Sequence, residues 1–400
     1  MLESTSSANR THIGFFGRMN AGKSSLINCF ADQEVSIVSE HAGTTTDVVK
    51  KPMEIHGIGP CVLLDTAGYD DTGDLGEMRI EASRKAMEMS EIAVVLYTQR
   101  EDDLLERTWI EEFRKRRTPV IAVCAQCDTW PRDRLAAVRK RIEATMQIPV
   151  IACSAVTKEG IEELKQALIT AAGEKHNVRT ITGSLINDGA SVMLVMPQDA
   201  SAPKGRLIQP QAQTIRELLE RHCIITCVAP EEMEEALANM KQAPDLIITD
   251  SQVFRDVQLR TPAESRLTSF SILFAAFKGD IHACVQGARK MEELNENSRV
   301  LIAECCTHAP LSEDIGRVKI PRLLRKKYGE GLVTEVYAGA DFPKDLSSYD
   351  LIIMCGGCMF NRKYILSRIH QAEESGVPIT NYGIAIAQLQ GILDHVVIPE

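Results

Sequence analysis

Gly17-Arg18-Met19-Asn20-Ala21-Gly22-Lys23-Ser24 stands directly after the apolar run HIGFFG and directly before a helical pattern. No other stretch of this chain constrains its folding so tightly. Glycines at both ends of such a turn let backbone N–H groups close around phosphate oxygens, an approach that side chains would obstruct. A lysine at this spacing reaches the outer phosphates of a nucleotide, and the hydroxyl that follows it is offered to Mg2+. The turn needs a strand to deliver it and a helix to receive it. That requirement is met again and again downstream: HIGFFG, PCVLLD, IAVVLY, PVIAVC and PVIACS are short apolar runs, with amphipathic stretches between several of them. The alternation predicts an α/β domain through about residue 172, a mostly parallel sheet with helices on both faces.

The chain has 400 residues, enough for two or three domains that each bury a core. A formal net charge of −10 argues against a dedicated nucleic-acid binder, which needs a surplus of Lys and Arg. The opening MLESTSSANR lacks the apolar segment of a secretory signal, and no apolar run reaches the roughly 18 residues of a membrane span. A cytoplasmic protein without a membrane partner is expected. Twelve cysteines in a reducing compartment point to metal or redox chemistry for some of them. Cys29, Cys61, Cys153, Cys223, Cys227 and Cys284 lie in or beside apolar stretches and read as buried thiols.

Further motifs indicate which nucleotide. Asp65-Thr66-Ala67-Gly68 ends a strand and brings a carboxylate to the metal and a glycine to the γ-phosphate. Thr44 and Thr45 follow Gly43 where a switch threonine completes Mg2+ coordination, so Ser24 and Thr45 are the expected Mg2+ ligands. Ser154-Ala155, followed by Gly160, resembles a loop that lines a guanine base. These motifs, in this order, resemble the translation-factor class of GTPases, in particular its tRNA-modifying and ribosome-assembly branch. The resemblance implies a GTP site lined by Asn20, Ala21, Gly22, Lys23, Ser24 and Ser25, with Asp128 reading the guanine edge. It implies Lys23, Thr45, Asp65 and Gly68 as the groups acting in hydrolysis, and K+ at Asn20. One motif departs from that class. Where Asn-Lys-x-Asp is usual, this chain has Ala125-Gln126-Cys127-Asp128, so a loop-fixing amide and an aliphatic stem over the base are missing. Cys124 and Cys127 form a CxxC there, read as incidental. No glutamine follows Gly68, and Glu77 is one of several carboxylates spaced to orient water.

Beyond a polar linker at 173–177, the runs SVMLVMP, IITCVA and DLIITD alternate with helical patterns and predict a small α/β unit over 177–260. Its Lys204-Gly205-Arg206 reads as a solvated loop. A third α/β segment, 261–400, ends two strands in cysteine: RVLIAEC and DLIIMC. Cys306-Thr307-His308 follows the first, and Cys355-Gly356-Gly357-Cys358 the second. Two thiolates across a glycine turn can share one inorganic cluster, and zinc with three Cys and one His is the alternative.

The runs CTHAPLSEDIGRVKIPR, GADFP and CGGCMFNR, with APKGRLIQPQ and DLIITDSQ before them, resemble the GTPase maturation factors of [FeFe]-hydrogenase, the HydF family. The resemblance covers essentially the whole chain. It implies a GTPase domain at 1–176, a dimerisation domain at 177–260 and a [4Fe-4S] cluster domain at 261–400. It implies a scaffold that takes a transient di-iron precursor from radical-SAM maturases and passes it to apo-hydrogenase. Cys306, Cys355 and Cys358 are the implied cluster ligands. The family's second histidine is replaced by Met354, which leaves the fourth iron to His308, Asp341, Asp345 or an exchangeable ligand. Two other readings stand beside this one: an RNA-directed GTPase with a structural zinc or iron–sulfur domain, and a redox enzyme built on the CxxC.

Overall fold

The computed structural model describes residues 7–33, 49–66, 74–173, 179–198, 207–305, 314–339 and 341–399. The chain divides into two compact units, Met1–Asn177 and Val178–Glu400.

In the first unit the chain runs β1 (Thr11–Phe16), α1 (Lys23–Gln33), β2 (Val49–Ile55), β3 (Gly59–Asp65), α2 (Asp74–Met89) and β4 (Ile92–Tyr97). It continues through α3 (Leu104–Lys115), β5 (Val120–Ala125), α4 (Arg132–Met146), β6 (Val150–Cys153) and α5 (Ile161–Gly173). The six strands lie in the order β2-β3-β1-β4-β5-β6. All neighbours are parallel except β2, which pairs antiparallel with β3. Strands β4 and β5 are buried at every residue, the signature of a parallel strand covered on both faces. Their uninterrupted apolar runs come from the same cause. Between β1 and β4 the order of winding reverses, and the P-loop opens at that switch point.

Among its described residues the second unit holds two all-parallel sheets of four strands. The first is built from β7 (Ser191–Val195), α6 (Gln209–Glu220), β8 (Ile224–Val228), α7 (Met233–Asn239), β9 (Leu246–Thr249), α8 (Phe254–Arg260) and β10 (Arg266–Ser269). Its order is β10-β9-β7-β8. Strand β10 therefore joins this sheet, although it lies beyond residue 260, where the sequence suggested a domain border. Helices α9 (Phe270–Lys278) and α10 (Ile281–Arg289) lead into the second sheet. That sheet is built from β11 (Arg299–Glu304), α11 (Ile320–Tyr328), β12 (Val333–Ala338), β13 (Leu351–Met354), α12 (Arg362–Glu374), β14 (Ile379–Asn381) and α13 (Tyr382–Leu389), in the order β12-β11-β13-β14.

One apolar cluster serves both sheets. Met193 and Ile247 of the first join Val300, Ile302 and Ile353 of the second, with Ile272 and Ala275 of α9 and Ile384 of α13 between them. Helix α9 is apolar on nearly every side because it is buried on nearly every side. The sequence divides this unit into two domains, yet its core is continuous.

Helix α10 packs on β14 through Gly287, where a Cβ would stand 2.0 Å from the carbonyl oxygen of Ile379. That neighbour is backbone and cannot swing aside. We expect Gly287→Ala to lower stability by about 1–3 kcal/mol through overpacking, read as a fall in the melting temperature. An unchanged melting temperature would contradict this packing.

Candidate functional site

The P-loop begins where β1 ends, and its lysine is already in place. Lys23 is 7% exposed, and its Nζ donates to the carbonyl oxygens of Gly17 at 2.8 Å and Arg18 at 2.9 Å. The ammonium is thus held across the mouth of the loop it serves. Ser24 Oγ donates to Asp65 Oδ2 at 2.5 Å. The two groups expected around Mg2+ therefore meet, although they come from α1 and the end of β3. Thr66 Oγ1 donates to the Phe15 carbonyl at 2.6 Å, tying the segment after β3 to β1.

Arg18, inside the P-loop, carries a role the motif does not announce. Its Nε donates to Glu106 Oε1 at 2.8 Å and its Nη2 to Glu106 Oε2 at 3.2 Å and the Asp102 carbonyl at 3.0 Å. Both charges of the Arg18–Glu106 pair are buried. Removing one partner would strand the other in the interior, so the pair fixes the P-loop against the start of α3. Glu106 stands in the first turn of an amphipathic helix, and nothing in the sequence marks it as buried.

The departure at the base motif is partly repaired in space. Gln126 takes a left-handed backbone, φ 56°, and its Nε2 donates to the Asn20 carbonyl at 3.2 Å. An amide thus still ties the base loop to the P-loop, supplied by Gln126 instead of the usual pair. Trp130 Nε1 donates to the Ala125 carbonyl at 2.9 Å and holds the same loop from behind. Asp128 is exposed and available to a base edge. Ser154 is fully buried, and its Oγ accepts from the N–H groups of Val156 at 3.2 Å and Thr157 at 3.1 Å, which shapes the loop that also carries Ala155. Burial pushes the Cys124 thiol up to about 12 and the Cys127 thiol up to about 11, so both stay protonated and unreactive at neutral pH. Thr44, Thr45 and Gly68 lie outside the described residues, as does Lys204-Gly205-Arg206, and α2 is described without the side chain of Glu77.

The second site lies at the carboxyl edge of the last sheet. The winding order reverses between β11 and β13, and a cysteine directly follows each of these strands, Cys305 and Cys355. The Cys305 N–H donates to Cys355 Sγ at 3.0 Å. A hydrogen bond from the Cys305 side chain holds the Cys355 thiol below its ordinary value, helped by the N–H groups of Gly357 and Cys305 and opposed by burial. Cys305 stands directly before Cys306, which lies outside the described residues. Its alternation with Leu301 and Ala303 on one face of β11 was the signal that it would be buried beside β13.

Cys355 and Cys358 are half-buried at the two ends of the turn. Gly357 between them has φ 63°, and a Cβ there would lie 2.5 Å from Ile365 Cδ1, so this position needs glycine. Beneath the turn, Lys278 Nζ reaches the carbonyl oxygens of Gly357, Cys358 and Phe360. Burial pushes the Lys278 ammonium down, and the charges of Cys358, Cys305 and Cys355 push it back up. The Tyr382 hydroxyl is buried with no hydrogen-bond partner among the described residues, and after burial itself the charge of Cys355 does most to raise it. A thiolate favoured by N–H donors, a cation below it and an unpaired donor nearby suit an anionic thiolate-held cluster.

Cys306 and His308 lie outside the described residues. Among the described residues no third His, Cys, Asp or Glu joins Cys355 and Cys358 to form a metal-holding group. Asp345 is exposed and engaged by Ser347, whose hydroxyl donates to it at 2.6 Å and whose N–H donates at 2.9 Å, and Asp341 is exposed.

Three known families match successive parts of the chain. Residues 12–126 match the 50S ribosome-binding GTPase family, 181–279 the hydrogen maturase F dimerization domain, and 282–399 the hydrogen maturase F tetramerization domain. The chain belongs to the HydF-type hydrogenase maturases. Its GTPase part is similar to the tRNA modification GTPase MnmE of Nitrosomonas europaea, 37% identical over 163 residues, which are 40% of this chain and 35% of that protein. MnmE of Listeria welshimeri is 33% identical over 155 residues, 38% of this chain and 33% of that protein. The chain thus spans about a third of the length of the curated relatives it matches. Among solved structures, Era of Aquifex aeolicus bound to GDP.AlF4- is 16% identical, with 57% of this chain and 97% of that one covered at a TM-score of 0.35. The G domain of the FeoB iron transporter of T. maritima is 21% identical, with 41% and 99% covered at 0.32. Among the described residues no helix is long and apolar enough to cross a membrane.

Gln126→Ala should weaken GTP binding about 2–10-fold in titration calorimetry, the worth of one hydrogen bond. Gln126→Lys, which can still reach the Asn20 carbonyl, should bind as the parent does or more tightly. Unaltered affinity in Gln126→Ala would show that the contact does not support the base loop.

Proposed function

We propose that this chain is a GTP-hydrolysing scaffold for the di-iron subcluster of [FeFe]-hydrogenase, carrying a [4Fe-4S] cluster on its last sheet. The observation that supports it best is the cysteine turn at the β11/β13 switch point, joined to a P-loop domain within a HydF-type chain. On this reading Lys23 leaves the Gly17 and Arg18 carbonyls for the β- and γ-phosphates of GTP and offsets charge on the transferring group. Ser24 and Thr45 would hold Mg2+, near Asp65, and Asn20 would contribute to a K+ site. The Arg18–Glu106 pair keeps the loop from moving as charge develops.

Cys306, Cys355 and Cys358 would hold the cluster, with the fourth position left to His308, Asp341, Asp345 or an exogenous ligand. When bound, it supplies an iron corner suited to bridging a second metal unit. The di-iron precursor is cargo, received from radical-SAM maturases and released to apo-hydrogenase in the cytoplasm. A homodimer is part of the proposal. Strand β8 is at the edge of its sheet, with Ile224 67% exposed and Cys227 exposed, and an apolar open edge is a pairing surface.

Lys23→Ala should reduce GTP hydrolysis to background, and the parent should turn over faster in potassium than in sodium. Hydrolysis by Lys23→Ala at the parent rate would contradict the nucleotide assignment. The scaffold role is tested by purifying the chain after co-expression with the radical-SAM maturases and mixing it with apo-hydrogenase. Hydrogen evolution should appear with the parent and be absent with Cys355→Ser. Its absence with both would count against delivery.

A further inference from the structure

Lys278 ends α9, yet it does not point to water as a lysine in a last helical turn usually does. It is 2% exposed. Its Nζ donates to the carbonyl oxygens of Gly357 at 3.2 Å, Cys358 at 3.4 Å and Phe360 at 3.1 Å. An ammonium has three donors and no acceptor, whereas a neutral amine has two donors and a lone pair. Three carbonyls around one nitrogen therefore fit the charged form. The small cavity it borders is lined mainly by apolar groups, among them Phe274, whose ring centroid is 5.8 Å from Nζ, Ala275, Met354 and Ile365, together with Cys355 and Asn381. A methionine would fill this space at lower cost, since a buried charge is expensive even when it is hydrogen-bonded.

All three acceptors belong to the single turn that joins β13 to α12 and carries Cys355 and Cys358. Because the C=O and N–H of one peptide unit point in opposite directions, drawing these carbonyls inward turns the N–H groups of Cys358, Met359 and Asn361 to the other face of the turn. We propose that Lys278 is the positioning residue of the cysteine turn and the fixed counter-charge of the metal cluster held there. It sets the turn before any metal arrives, and afterwards it favours the more negative, reduced cluster by placing a cation beneath it in a low-dielectric pocket. The second half of this proposal rests on the cluster reading above, and the first half does not.

The test uses the full chain with Lys278→Met, which removes charge and donors, and Lys278→Gln, which removes charge and keeps two donors. In the metal-free protein, alkylation of Cys355 and Cys358 by iodoacetamide is followed peptide by peptide. The rate should change about tenfold in Lys278→Met, since a hydrogen bond from a charged group is worth at least that factor, and should stay closer to the parent in Lys278→Gln. After anaerobic reconstitution the midpoint potential should shift to more negative values in both variants, and a chelator should remove iron faster from Lys278→Met. Parent alkylation rates in both variants would overturn the positioning role. A parent potential in both variants would overturn the counter-charge role. A parent chain that takes up no iron counts against the cluster reading, and the alkylation rates still decide the positioning role. If Lys278→Met does not fold, Lys278→Gln still reads the loss of charge and of one donor: a parent potential in it overturns the counter-charge role, and a parent alkylation rate in it overturns the positioning role.

Discussion

A parallel strand that stops at the carboxyl edge of its sheet leaves backbone groups turned outward, and the helix that follows begins with unpaired N–H donors of its own. Those donors must be satisfied by side chains, water or a ligand. In this chain both functional regions are built on that obligation. The P-loop takes it up after β1, where the winding of the first sheet reverses, and the cysteine turn takes it up after β13, where the winding of the last sheet reverses. One edge is shaped for phosphate oxygens and the other for sulfur.

Such turns are of little use unless they are held still, and each is held by a buried cation. Arg18 is clamped by Glu106, so its charge is cancelled within the protein and its work is purely positional. Lys278 Nζ donates to three carbonyl oxygens, so its charge is solvated by dipoles and remains available to the field above it. The distinction matches the chemistry. A nucleotide site already receives positive charge from Lys23 and Mg2+, whereas a thiolate-held cluster is an anion whose potential depends on what lies nearby. The shared core under α9 connects this arrangement to the rest of the second unit, because the helix that carries Lys278 is also the one packed between the two sheets.

Much of this was legible in the sequence. The runs that became β1, β4 and β5 are apolar throughout because both of their faces are covered, and the P-loop declared itself by glycine, lysine and serine at fixed spacing. Strand β2 was not legible: Lys50, Lys51 and Pro52 suit only an edge, where one face meets water. Strands β10 and β14 are too short, at four and three residues, to show any period. Gln126 looked like a loss because the motif compares residue types, while the contact to Asn20 depends on a left-handed backbone that no motif encodes. Lys278 was hidden for a related reason. A lysine at the end of a helix is ordinary, and only the fold shows that it ends beneath the cysteine turn. Thr44, Thr45, Gly68, Cys306 and His308 lie outside the described residues, and their roles rest on resemblance alone.

The central claim is that the cysteine turn is a cluster site and not a zinc site or a bare redox pair. It is tested most directly by isolating the full chain under strict anaerobiosis, reconstituting it with iron and sulfide, and recording iron content together with the electron paramagnetic resonance spectrum after reduction. The account predicts about four irons per chain and the signal of a reduced [4Fe-4S] cluster. One tightly bound zinc with no iron, or a metal-free protein with both thiols free, would contradict it.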